Sequence, residues 1–443
     1  MTPLPAAPAT VPVRGGAGRV PFGFHPVPPA ATMNDRLSSR ARAIRRSEVR
    51  DLLRHAGRPG RVSLAGGLPA AELFDVEGVR AAALAALADA PAAALQYGMT
   101  EGQPALREAI AARLQARSIA ATPQALVVTT GSQQGLDLVA RALLAEGDVV
   151  VVERPSYLAA LQAFGLAGPA WRSIGVDGDG GRVEDLDAAC AGVRPKLVYV
   201  VPNFANPTGA CMSLERRRAL VRWAAAHRVV VLEDDPYGEL RTRGTPLPSL
   251  AAIAAEVPGA SEWIGHASTL SKTVAPGLRV GWLLLPAWLR EAVVLLKQAC
   301  DLHTSSFAQE VASRYLASGR LEARLDLVRT EYARRRDALA GALDEGFGAR
   351  LEVRVPDGGM FLWARFTDRT DARALLPLAL ERGTMFVPGD AFFVDATGTA
   401  DAAVRASLRL NFSAATPDRL REGVRRLVDA HRTLRGRTAV AAR

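Results

Sequence analysis

The chain has 443 residues, 49% of them hydrophobic and 23% charged, with a formal net charge of +10 at pH 7, enough length for one large or two medium domains around a substantial core. No apolar run approaches the roughly 20 residues of a membrane span, and the three cysteines (Cys190, Cys211, Cys300) form no C-x-x-C pair, which argues against a disulfide framework or a zinc site and suits a reducing cytoplasm. The charge sits at the ends: residues 1–61 hold eleven arginines against three acids and residues 432–443 hold four arginines and no acid, a pattern of solvated or subunit-contacting arms rather than of a nucleic-acid groove.

Residues 1–32 are rich in Pro, Ala and Gly without apolar periodicity, which predicts disorder. They lack the continuous apolar segment of a secretory signal, and Met33 opens a more ordinary beginning. Asp35 to His55 reads as an Arg-rich amphipathic helix with Leu37, Ala41, Ile44, Val49, Leu52 and Leu53 on its apolar side. Ser63 to Pro69 is a loop whose Gly66 and Gly67 permit close backbone approach. A helix is expected over 76–90, a short loop at Leu95-Gln96-Tyr97-Gly98, and a helix over Pro104 to Arg117 with proline in its first turn. Six short apolar runs follow: Leu126–Thr129, Val149–Val152, Leu197–Val201, Val229–Leu232, Trp263–Ala267 and Val280–Leu285. Helical patterns separate several of them, which indicates a mostly parallel sheet covered on both faces, an α/β fold. Residues 286–345 read as helical. Strands at 351–355 and 360–366, a helix at 371–382, strands at 384–387 and 405–412, and a helix at 417–434 then form a smaller α+β unit. The expected division is a disordered extension over 1–35, an N-terminal arm and part of the small domain over 36–97, a large domain over 98–330 and a C-terminal small domain over 331–443.

Fifty-two arginines accompany only three lysines, Lys196, Lys272 and Lys297. A lysine can shed its proton and attack a carbonyl to form a Schiff base, whereas a guanidinium stays charged. Lys196 precedes an apolar run and Lys297 sits in a helical pattern, and both read as solvated. Lys272 lies in Ser268-Thr269-Leu270-Ser271-Lys272-Thr273-Val274-Ala275-Pro276-Gly277-Leu278-Arg279, between small hydroxylated residues and a Pro-Gly turn. The plain alternative there is an exposed lysine in a strand-loop-strand. Thr129-Thr130-Gly131-Ser132-Gln133-Gln134-Gly135-Leu136 follows one strand and opens a helix, a ready anion site, although glycine and serine start many helices for local reasons. Glu153 to Tyr157, Pro202 to Gly209 and Glu233 to Leu240 also follow strands. Their ordinary readings are a turn with a packed tyrosine, an Asn-Pro-Thr-Gly turn and three solvated acids. No Asp or Glu cluster with metal-ligand spacing accompanies them, so no metal is expected. Leu408-Arg409-Leu410-Asn411-Phe412-Ser413 closes the series, with Arg405 nearby as an exposed strand arginine.

In this order the stretches resemble the fold-type I pyridoxal-phosphate (PLP) aminotransferases, whose cofactor-lysine motif S-x-S-K-x-x-x-P-G-L-R-x-G is matched from Thr269 to Gly281. Threonine stands at Thr269 where that family usually has serine. Within the family the resemblance is to the 2-aminoadipate/kynurenine aminotransferases and the aminotransferase-like part of MocR-type regulators, over roughly residues 36–434. It implies the PLP-dependent transferase fold type I: a large domain with a mostly parallel seven-stranded sheet plus a smaller α+β domain, in a homodimer. It also implies pyridoxal 5'-phosphate as the cofactor, attached to Lys272. By the same resemblance Gly131, Ser132, Gln133 and Arg279 hold the phosphate, with Thr269 and Ser271 at the matching hydroxyl positions. Tyr157 stacks on the pyridine ring, and Asn206 and Tyr237 bond the phenolic oxygen. Asp234 pairs with the pyridine nitrogen, keeping it protonated so that the ring accepts electrons. Arg409 clamps the substrate α-carboxylate, for which a planar fork is suited. Gly67, Tyr97 and Arg50 match substrate-side positions, the last two reaching the site from a partner subunit or a mobile N-terminal helix. Gly358 to Trp363 and Val387 to Phe393 complete the pattern.

The implied reaction moves the amino group of an L-amino acid to a 2-oxo acid, 2-oxoglutarate being expected, with Lys272 as the proton carrier in a ping-pong cycle. Decarboxylation, racemisation or elimination on the same scaffold is the alternative, which a clamp on the carboxylate disfavours. A ligand-sensing regulator would need a winged-helix domain, and fewer than 40 residues precede the matching region. The expectation is thus a cytoplasmic enzyme with small-molecule substrates and neither nucleic-acid nor membrane partners.

Overall fold

Short aliphatic runs alternating with helices build the central sheet of the computed structural model, which describes residues 36–38, 41–42, 52, 60–394 and 401–441. The expected disordered segment 1–32 and most of the Arg-rich helix 35–55, Arg50 included, lie outside the described residues. Of the leading segment, Ser38 accepts hydrogen bonds at its hydroxyl from Ala41 N (3.2 Å) and at its carbonyl from Arg42 N (3.1 Å), the start of a helical turn.

The sheet contains β1 (Leu126–Thr129), β2 (Val149–Arg154), β3 (Ala170–Asp177), β4 (Gly180–Gly181), β5 (Leu197–Val200), β6 (Val230–Asp234), β7 (Ile264–Thr269) and β8 (Gly281–Leu284). Their spatial order is β1-β8-β7-β6-β5-β2-β3-β4. The pairs β2–β3, β2–β5, β5–β6 and β6–β7 are parallel, while β8 runs antiparallel to both β7 and β1. Seven strands are four residues or longer, and β4 is a two-residue antiparallel return on β3. The strands β1, β5, β6 and β7 are buried throughout. That double-sided burial is why they read as continuous apolar runs. By contrast β3 is half-buried and mixes Arg172 and Ser173 with Trp171 and Ile174, so no aliphatic run marks it in the sequence.

A second sheet holds β9 (Leu351–Arg354), β10 (Phe361–Phe366), β11 (Val387–Pro388) and β12 (Ser407–Asn411) in the antiparallel order β9-β10-β12-β11. Val62–Ser63 pairs in parallel with Thr384–Met385, and Leu52 packs with Ala65, Met385, Val387 and Phe392. The helices that matter for the site are α1 (Ser132–Leu143), α2 (Ala287–Asp301), α3 (Ser306–Ala317), α4 (Arg320–Phe347) and α5 (Pro417–Ala441). Among the described residues no helix is long and apolar enough to cross a membrane.

Strand direction gathers the motifs. Because β1, β2, β5, β6 and β7 all point the same way, their carboxyl ends lie along one edge of the sheet, where open α/β sheets bind ligands. Register fixes the alignment: Thr129, Gly281 and Thr269 lie in one row across β1, β8 and β7, and Asp234 pairs with Ala267. At roughly 4.8 Å per strand, the loops after β1 and β7 start about 10 Å apart.

One buried cation shapes the loop after β5. Arg217 is fully buried, and its guanidinium donates to the carbonyls of Met212 (2.9 Å), Pro202 (2.8 Å) and Pro248 (2.9 Å) and to Asn203 Oδ1 (2.7 Å). These bonds satisfy backbone groups of an irregular buried loop that no strand could pair. Replacing it by methionine removes these bonds and leaves the Met212 and Pro248 carbonyls without the partner Arg217 gave them, while Pro202 O keeps its bond from Met212 N. Arg217→Met is therefore expected to lower unfolding free energy in urea by about 3 kcal/mol or more, and a change below about 1 kcal/mol would contradict this role of Arg217.

Candidate active site

Glu233 and Asp234 end β6 and Asp235 follows it, and alternation of side chains turns Asp234 to the face opposite Glu233. All three are buried. Glu233 accepts the N–H groups of Leu250 (3.0 Å) and Ala251 (3.2 Å) at a helix start and lies 3.1 Å from His266 Nδ1. Asp235 accepts from Arg117 (2.5 Å), Asn203 Nδ2 (2.9 Å) and Gly238 N (2.9 Å). Burial opposes its charge, yet Arg117 holds its carboxylate down to about 2. Two of the acids are thus committed to structure. Asp234 is not: Tyr199 Oη donates to its Oδ2 at 2.8 Å, and its buried Oδ1 has no hydrogen-bond partner. Burial, with Asp235 and Glu233 adding repulsion, pushes the Asp234 carboxyl up to about 7. A buried oxygen left open in this way suits a cationic N–H partner.

Lys272 follows β7, half-buried, with Nζ 2.9 Å from the carbonyl of Gly67. Burial, reinforced by the nearby charges of Arg409 and Arg279, brings its ammonium down to about 8, with Asp234 opposing. At neutral pH a useful fraction is therefore the free amine, the nucleophilic form. Thr269 Oγ1 donates to Val280 O (2.8 Å), which leaves the Ser271 hydroxyl as donor in their mutual 2.8 Å bond. The loop after β1 faces this segment. Gly131 takes φ +75° as the N-cap of α1, and Ser132 opens the helix. A Cβ on Gly131 would collide with the Arg279 guanidinium, and one on Gly281 would come within 2.7 Å of the Gly131 carbonyl carbon and Ser132 N. Arg279 also donates to Thr130 O at 3.2 Å. Open helix N–H groups beneath an arginine make an anion cradle. The Gln133 side chain turns away to Ala159 O (3.0 Å), so only its backbone faces the cradle.

Arg409 on β12 is buried, with Nη1 2.8 Å from Asn206 Oδ1, Nη2 2.5 Å from Ala65 O and Nε without a partner. Phe361 and Phe392 flank its guanidinium at 4.3 and 5.0 Å from their ring centroids. Burial lowers it to about 10 while Tyr237 and Tyr157 stabilise its charge. Burial also raises the Tyr237 phenol, with Tyr157 next in effect. Lys272, Asp234, Asn206, Tyr157, Tyr237, Arg279, Arg409 and Gly67 therefore share one site. Tyr97 is elsewhere: it is 79% exposed, its ring packs edge-on against His303 at 5.8 Å, and among the described residues no hydrogen bond or ring contact joins it to Lys272.

Tyr199, Phe361 and Phe392 carry weight that the motifs did not assign. A tyrosine within the otherwise aliphatic β5 was the available signal, because a buried phenol needs a partner. Lys297 overturns its expected solvated role. It is fully buried and bonded to Asp301, Gln134 and Thr304. Leu289, Val293 and Lys297 recur every four residues on the buried face of α2, which turns that lysine inward.

A nucleophilic amine, an open buried carboxylate, an anion cradle and a buried arginine form a set that fits pyridoxal phosphate bound to an amino acid. The chain belongs to the aminotransferase class I and II family, whose sequence profile matches residues 67–427. It is a PLP-dependent aminotransferase of fold type I. It is 37% identical over 398 residues to aromatic-amino-acid aminotransferase 1 of Thermococcus litoralis, covering 88% of this chain and 93% of that protein. It is also 37% identical over 386 residues to the 2-aminoadipate transaminase of Thermus thermophilus, covering 87% and 93%. Among solved structures it is similar to the Pyrococcus horikoshii kynurenine aminotransferase in complex with PMP, with a TM-score of 0.83, 38% identity, and 90% and 97% of the two chains covered.

The amine environment can be tested directly. In the apoprotein, peptide-resolved labelling with an amine reagent should show Lys272 gaining reactivity as pH rises through about 8. A midpoint in the ordinary lysine range near about 10.4 would contradict it.

Proposed function

We propose that this aminotransferase moves the amino group of an L-α-amino acid to a 2-oxo acid, with 2-oxoglutarate as acceptor, in a ping-pong cycle run by Lys272. The observation that carries this reading is the gathering in one site of the Lys272 amine, 2.9 Å from Gly67 O, the open Oδ1 of Asp234 and the buried Arg409. When bound, pyridoxal phosphate supplies a carbonyl carbon for the amine to attack and a ring that accepts the electrons released at Cα. Lys272 would be the attachment point, and its amine, when free, would carry the proton taken from the substrate Cα. The open Oδ1 of Asp234 would accept the pyridine N–H and keep that proton in place. Tyr199, bonded to the other oxygen, fixes the carboxylate's direction. Gly131, Ser132 and Gln133, through backbone N–H groups and the Ser132 hydroxyl, hold the phosphate with Arg279, while Thr269 and Ser271 shape the turn. Asn206 and Tyr237 bond the phenolic oxygen, and Tyr157 covers the ring.

Arg409 takes the substrate carboxylate. Its stacking between Phe361 and Phe392 orients the fork and keeps water from its faces, so the charge-assisted pair acts in a low dielectric. Aromatic amino acids, 2-aminoadipate and kynurenine, the substrates in the names of the relatives, share the α-amino acid head and differ in the side chain. The head is what this site is equipped to read.

The working unit is assigned as a homodimer. Leu95, Tyr97, Met99, Leu302 and Phe307 are exposed large apolar side chains. The Tyr97–His303 contact and the approach of Gly98 to Ser306 join them into one patch, of the kind that marks an interface. Covering it with a second subunit would carry Tyr97 toward the partner's site. The three cysteines are free, which fits a cytoplasmic location.

Lys272→Ala tests the assignment. Loss of the attachment point and proton carrier together should lower kcat by about 10⁴-fold. A variant within about tenfold of the wild-type rate would end the proposal.

A further inference from the structure

The reaction leaves Lys297 without a task, yet it is the fully buried lysine of a chain that uses arginine almost everywhere else. Its ammonium donates to Asp301 Oδ1 (2.8 Å) and Oδ2 (3.0 Å), Gln134 Oε1 (3.1 Å) and Thr304 Oγ1 (3.1 Å). Asp301 Oδ2 in turn accepts from Gln134 Nε2 (2.6 Å) and Thr130 Oγ1 (3.2 Å). Gln134 Oε1 accepts from Thr130 N (2.8 Å), and Thr304 Oγ1 donates to Val128 O (3.4 Å). The pair on α2 thus bonds the Thr130 and Gln134 side chains directly and, through Gln134 and Thr304, reaches the Thr130 N–H and the Val128 carbonyl. Those contacts flank Gly131, at Thr130 on one side and Gln134 on the other. Arg279 secures the Thr130 carbonyl of the same loop.

We propose that buried Lys297 and its partly exposed partner Asp301 form a positioning pair that holds the 128–134 loop in the shape that receives the cofactor phosphate. The inference rests on the assignment of the phosphate to Gly131, Ser132 and Gln133. Stability does not account for the pair. Leu289 and Val293 already anchor α2 in the core, and an ion pair whose carboxylate reaches water contributes little net stability. Geometry does account for it. A compact ammonium can aim three protons at three converging side chains, which a flat guanidinium fork cannot do from the same stem. Because Asp301 neutralises Lys297, the pair acts on the phosphate through the loop's shape rather than through charge.

The test compares equilibrium binding of PLP with binding of pyridoxal, which lacks the phosphate, to apoprotein variants. Lys297→Met alone strands the Asp301 carboxylate and endangers folding, so the double variant Lys297→Met/Asp301→Leu accompanies it. Groups that orient a binding shell are worth about 10- to 100-fold in affinity where they surround metals. The double variant is accordingly expected to lose PLP affinity by about tenfold or more, with pyridoxal affinity unchanged. An equal loss for both ligands would make the pair a general structural element and overturn the proposal. So would an unchanged PLP-to-pyridoxal ratio in the double variant while Ser132→Ala lowers it. If Ser132→Ala itself leaves the ratio unchanged, the phosphate assignment fails, and the positioning role falls with it.

Discussion

Removal of one carboxylate and one ammonium group from water at the carboxyl edge of the sheet is the constraint on which the site depends. Burial acts in opposite directions on the two, raising Asp234 to about 7 and lowering Lys272 to about 8. The same loss of hydration makes the amine a nucleophile and makes the carboxylate seek a cationic partner. Both effects require strands that run parallel and end together, since only that arrangement closes the motifs' loops over one crevice.

Selectivity among neighbouring acids comes from what each already holds. Glu233 is occupied by a helix start and His266, and Asp235 by Arg117, Asn203 and a turn N–H. Asp234 alone retains an open oxygen, with Tyr199 steering the other. Arginine and lysine divide the remaining work by shape. Arg217 and Arg409 meet several acceptors in a plane. The two lysines drawn inward, Lys272 and Lys297, stand where a compact group is needed, one to lose its proton and the other to gather three side chains.

Much of this was legible in the sequence, for identifiable reasons. Strands buried on both faces leave aliphatic runs, so β1, β2, β5, β6, β7 and β8 were visible, whereas the half-buried, mixed β3 was not. The motifs around Lys272, Asp234 and Asn206 are local and stand at strand ends, and that around Arg409 lies within β12. Partners distant in sequence left no local trace: Tyr199 meets Asp234 from 35 residues away, and Arg409 meets Asn206 from 203 residues away. Lys297 was legible in principle from its four-residue spacing after Leu289 and Val293. A charged residue in that stripe was read as solvated because lysines usually are.

The central claim is that Lys272 serves a cycle of two half-reactions, and absorbance of the holoenzyme tests it most directly. Adding an L-amino acid donor without acceptor should abolish the long-wavelength band of lysine-bound cofactor, and 2-oxoglutarate should restore it. A band that persists while carbon dioxide, ammonia or the D-enantiomer appears would contradict transamination, and absence of the band after PLP is supplied would contradict the role of Lys272.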